Sequence, residues 1–84
     1  MADEKIEQLI AANRLEEADT LLAGRQDAAA LYLRGRMAWK RGEKSAAISL
    51  YAQSEALDPS GPAALALEQA REIMDFFNKD LYNP

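Results

Sequence analysis

A chain of 84 residues holds one domain, and its core must be thin, because domains of this size bury only about 60% of the surface their unfolded chains expose. With neither cysteine nor histidine, a disulfide framework, a thiolate metal site and an imidazole base are excluded. A net charge of −4 opposes nucleic acid, whose binders carry a dominant basic stripe.

The abundance of Ala, Leu, Glu, Lys, Arg and Gln, with no valine and a single threonine, predicts an all-α fold. Ile6, Leu9 and Ile10 stand at helical spacing, and Asn13 closes that helix because asparagine tolerates a left-handed backbone. Leu15, Ala18, Leu21 and Leu22 form a second apolar face that ends at Gly24. Asp27 is placed to accept backbone N–H bonds at the start of a third helix, Ala28 to Arg41, which stops at Gly42. A fourth helix begins near Lys44 or Ser45 and turns Ala47, Ile48, Tyr51 and Leu57 to one side. It ends at Asp58-Pro59-Ser60-Gly61-Pro62, where the prolines and glycine break the chain.

The fifth helix is predicted to start at Pro62, where a missing N–H costs nothing, and to run to about residue 82. Ala63, Leu67, Ala70, Met74, Phe77 and Leu81 make its stripe, widened by Leu65, Ile73 and Phe76. About five helices on connections of roughly two to five residues must be antiparallel neighbours in a single domain, because such loops cannot cross it.

Within this pattern Leu31, Gly35, Ala47, Tyr51 and Pro59 fall at fixed offsets, with Gly42 in the turn between helices. Gly35 and Ala47 lack bulk and let two helices approach, while Tyr51 fills the space beside them. On these residues the segment from Ala28 to Gly61 resembles a tetratricopeptide repeat, a helix-turn-helix unit of about 34 residues. Arg34 and Ala38 depart from the pattern's leucine and tyrosine, and an ordinary helical hairpin is the alternative. Residues 1–24 resemble a degenerate copy whose Ala18 echoes Ala47 at a shorter period. Residues 62–82 read as a capping helix, since a third unit in register would put Glu68, Gln69 and Glu72 at core positions. The resemblance implies a right-handed superhelix of antiparallel pairs whose first helices line a concave groove for a protein or peptide.

Tyr32, Arg36, Trp39 and Lys40 share a face of the third helix, and Trp, Tyr and Arg are the types most enriched at binding hot spots. They are the candidate partner-binding residues, with Arg36 and Lys40 suited to an acidic or carboxylate group. The plainer reading packs Trp39 under the terminal helix and leaves Arg36 and Lys40 solvated. The Lys and Asn with which carboxylate-clamping members of the family hold a peptide terminus are replaced here by Tyr32 and Arg36, so that ligand is not implied.

The stripe containing Ile73, Met74, Phe76, Phe77, Leu81 and Tyr82 is broad enough for a twofold homodimer contact, or else folds back wholly on its own core. The scattered carboxylates suit helix starts and solvated faces, not a metal. Ser45, Ser49, Ser54 and Ser60 lack a base to activate them. No enzyme, cofactor or metal is expected. No apolar stretch approaches the roughly 20 residues that span a bilayer, and Met1-Ala2-Asp3-Glu4-Lys5 is unlike a secretory leader, so a soluble, cytoplasmic interaction module is expected.

Overall fold

The computed structural model describes the backbone of residues 2–82 and the side chains of residues 3–75. Among these residues there are five helices and no strand: α1 (Ala2–Ala11), α2 (Leu15–Leu22), α3 (Ala28–Lys40), α4 (Lys44–Leu57) and α5 (Ala63–Tyr82). The last begins one residue later than the sequence pattern places it. Pro62 stands just outside the helix and its carbonyl accepts from the Ala66 N–H at 3.2 Å.

Two of the turns are closed in the same way. Asn13 at φ 62° and Gly42 at φ 82° each put the chain into the left-handed region directly after a helix. The N–H of Asn13 then meets the Ile10 carbonyl and that of Arg14 the Leu9 carbonyl. Gly42 and Glu43 do the same with Trp39 and Ala38. This paired bonding satisfies the carbonyls that a helix end leaves without partners. The residues that follow also match, Arg14 at φ −95°, ψ 66° and Glu43 at φ −87°, ψ 70°, and neither caps its helix with a side chain.

The α3–α4 hairpin is the tightest pairing, and its strands of contact run antiparallel. Near the turn Ala38 and Ala47 are buried together. Farther along Tyr51 lies on Gly35, so closely that a Cβ at position 35 would stand 2.5 Å from the ring. At the far end the buried Ser54 hydroxyl donates to the Ala28 carbonyl at 2.6 Å. Small residues thus set the helix separation, and one aromatic ring fills what they vacate.

Helix α3 is covered on two sides, which explains why its apolar residues do not form a single stripe. Ala30, Leu33 and Met37 join Ile6, Leu9, Ile10, Ala18 and Leu22 in one core cluster. Ala38 joins Ala47, Tyr51, Leu67 and Ala70 in the other. Ile6, Ile10, Leu22 and Met37 are the largest fully buried side chains, each worth about 1.5–3 kcal/mol when removed from water. Half-buried Tyr32 touches both clusters. On its other side α4 carries α5.

Three leucines assigned to apolar faces lie outward: Leu21 at 45% exposure, Leu57 at 61% and Leu65 at 60%. On α4 the buried row is Ala47, Tyr51 and Ser54, the i, i+4, i+7 line of a helix face. Leu57 is turned off that line, and a serine holds the position next to α3.

Candidate functional site

Successive steps of four and three residues bring Tyr32, Arg36 and Trp39 onto one side of α3, and all three are half-buried. They line a cleft of about 230 Å³ facing Ala66, Gln69, Ala70 and Ile73 of α5, with Tyr51 of α4 as its base. Small side chains at Ala66 and Ala70 leave the space that the aromatic residues of α3 border. Lys40, the fourth residue expected there, is exposed and does not line it.

A second cleft of about 240 Å³ adjoins the first. Asp3 and Glu7 of α1 form one wall, Ala28, Ala29, Tyr32 and Leu33 of α3 the floor, and Ser54, Asp58, Gly61 and Pro62 the end beside the α4–α5 turn. Tyr32 borders both clefts, so they form one groove along the α1, α3 and α5 side, divided by a phenol ring. That ring leans on Tyr51 with centroids 5.9 Å apart and planes at 37°. Burial raises the Tyr51 hydroxyl pKa above its ordinary value, with the neighbouring Tyr32 adding to the effect.

Polar contacts hold the groove's walls. The Arg36 guanidinium donates to Glu7 Oε1 at 3.2 Å, tying α3 to α1. Arg25 reaches Asp3 at 2.7 Å and Asp27 at 2.8 Å, while Asp27 also accepts from the Ala30 N–H at 3.2 Å as the cap of α3. The hydrogen bond from Arg25 holds the Asp27 carboxyl well below the usual carboxylate range, and the bonds to Asp27 and then Asp3 raise the Arg25 pKa. Arg34, a departure from the repeat pattern, donates to the carbonyls of Leu22 and Arg25. It binds the open end of α2 from the neighbouring helix. Lys44 Nζ lies 5.5 Å from the centroid of the Trp39 ring, within cation–π reach, and so orients the indole from the turn side.

The residues expected to make a dimer contact divide. Ile73 is 41% exposed and borders the α3–α5 cleft. Met74 is half-buried. The side chains of Phe76, Phe77, Leu81 and Tyr82 lie outside the described residues. Among the described residues no group of acidic side chains could hold a metal ion, and no helix is long and apolar enough to cross a membrane.

The sequence gives Tyr51 a packing role and assigns no site role to Asp3, Glu7 or Asp58, whereas all four border the groove. The one sequence signal for the cleft was the pairing of an aromatic row on α3 with small residues four apart on α5. The carboxylates gave none, because their placement depends on how α1 docks. Comparison with protein-family models, with curated proteins and with solved structures finds no match to this chain.

Proposed function

We propose that the chain is a non-catalytic interaction module of tetratricopeptide type, working in the cytoplasm and holding an extended segment of a partner protein along the α1, α3 and α5 side. The observation that carries the reading is the groove itself: two adjoining clefts of about 240 and 230 Å³ that share Tyr32 and include the half-buried Trp39. Side chains of this kind supply large apolar area at little entropic cost when a ligand covers them. The resemblance to the repeat family is supported by the close contact of Tyr51 with Gly35 and by the buried Ala47. The groove accommodates few residues, so modest affinity is expected unless the module is presented in several copies.

The test is Trp39→Ala, with Lys40→Ala as control, in capture of a partner from extract of the source cell followed by titration of that partner. Trp39→Ala should weaken binding by about thirtyfold or more, the effect of losing a 2 kcal/mol hot spot. Lys40→Ala should change it less than about threefold. Undiminished binding by a folded Trp39→Ala variant, judged by circular dichroism, overturns the proposal.

The exposure of Ile73 supports a second reading, in which α5 pairs with its copy in a homodimer. Sedimentation over a range of concentrations checks it: Ile73→Glu should convert a dimer to a monomer, and a wild-type protein that stays monomeric throughout removes it.

A further inference from the structure

Resting on the groove reading above, we infer that the segment it takes is basic and apolar: a lysine or arginine enters the α1–α3 cleft while an apolar side chain enters the α3–α5 cleft, astride Tyr32.

Among the described residues the charged side chains bordering the first cleft are Asp3, Glu7 and Asp58, with no lysine or arginine. Arg25 and Arg36 reach these carboxylates from outside, yet Arg25 is shared between Asp3 and Asp27, and Arg36 meets Glu7 through a single N–H. Among the described residues Asp58 accepts from the neutral backbone and hydroxyl of Ser60, at 3.2 and 2.7 Å. Among the described residues the lining of this cleft thus holds three carboxylates and no basic side chain, with Arg25 and Arg36 pairing to Asp3 and Glu7 from outside it, and the lining is negative. An acidic ligand, which Arg36 and Lys40 suggested from sequence, is disfavoured: Arg36 is engaged by Glu7 and Lys40 lies outside both clefts.

The floor suits a long cation as well as its charge does. Ala28, Ala29 and Leu33 offer apolar surface along which the methylenes of lysine or arginine can lie while the head reaches the carboxylates. The Tyr32 ring adds a face for that head. Among the described residues the second cleft has no carboxylate: Arg36 and Gln69 stand at its edge, and Trp39, Ala66, Ala70 and Ile73 give it an apolar wall that favours leucine or phenylalanine.

Trp39 is the chain's single tryptophan, so its emission reports occupancy of the second cleft. The probes are blocked peptides in which lysine and leucine are separated by one to four serines, with a matched series carrying glutamate for lysine. At low salt the lysine series should shift Trp39 emission and bind at least about fivefold more tightly than the glutamate series, with the advantage shrinking as salt screens it. Glu7→Gln and Asp58→Asn should each lower lysine-series affinity about two- to fivefold without changing the circular dichroism.

Equal or tighter binding of the glutamate series overturns the charge assignment and leaves the groove reading standing. If neither series perturbs Trp39 emission or the amide resonances of α3 at millimolar peptide, both fall.

Discussion

The two hairpins share a turn and differ in what holds them. In α3–α4 the helices are 13 and 14 residues long and lock through shape, with Tyr51 seated on Gly35 and Ser54 bonded across to Ala28. In α1–α2 the second helix has 8 residues, and the hairpin is completed from outside by arginines. Arg34 takes the carbonyls at the end of α2, Arg36 takes Glu7, and Arg25 takes Asp3. The α1–α2 pair lacks the length with which α3 and α4 secure each other. Polar reach from α3 and the adjoining linker supplements aliphatic packing there, so the two halves should fail in different ways.

The largest effect is expected where shape does the work. Tyr51→Ala removes a ring that is 5% exposed and should destabilise by about 3–5 kcal/mol, much of the total for a small domain. The informative variant is the pair Gly35→Ala with Tyr51→Leu. Alone, the new Cβ overlaps the ring and should cost about 1–3 kcal/mol. With leucine at 51 the overlap is relieved, and denaturant titration should find the double variant more stable than the sum of the singles by at least about 0.5 kcal/mol. Strict additivity would mean that the close approach does not set the fit.

Breaking the other half calls for Arg34→Met, which keeps an unbranched apolar stem but removes the guanidinium donors. The Leu22 and Arg25 carbonyls then lose their guanidinium partner, at about 1–3 kcal/mol. Native-state hydrogen exchange sharpens the comparison, because the loss should concentrate in α1 and α2 while the amides around Tyr51 keep their protection. Uniform loss across all helices would show that the hairpins unfold as one unit.

The same contrast explains what could be read from sequence. Helix spacing marked Ile6, Ile10, Ala18, Leu22, Ala47 and Tyr51, all buried, because each lies on a local stripe that any docking must cover. The positive-φ stops at Asn13, Gly24 and Gly42 and the Asp27 cap were legible for the same local reason. Position 54 was not: a serine there is buried only because α4 lies against the start of α3 and offers its hydroxyl a carbonyl. Leu57 looked like core by type yet sits off the Ala47–Tyr51–Ser54 line. At the candidate site, Tyr32, Arg36 and Trp39 could be placed on one helix side by spacing. The acidic wall from Asp3 and Glu7 required the angle at which α1 meets α3, which no periodicity encodes. Arg34 stood out as a break in the repeat pattern, and its reason lies in α2, whose shortness leaves carbonyls within its reach.

The smallest effect tests the polar fastening by pH. Asparagine at position 27 can still cap α3 through its side-chain oxygen but carries no charge for Arg25, so Asp27→Asn isolates the ion pair. The folded-state pKa of Asp27 lies below its ordinary value, chiefly because of the Arg25 hydrogen bond. Its stabilisation is therefore fully present above the unfolded value of about 3.9 and is lost as pH falls toward the folded one. Relative to the variant, the wild-type protein should have its full advantage in Tm around pH 7 and lose it progressively below about pH 4. The side chains are 30% and 51% exposed, so solvent screening limits the gap to about 5 °C or less, and added salt should narrow it. If the gap instead stays the same from neutral pH into acid, Asp27 acts as a cap alone and the charge on Arg25 is taken up by Asp3. The α1–α2 attachment would then depend on that contact together with Arg34 and the Arg36–Glu7 pair.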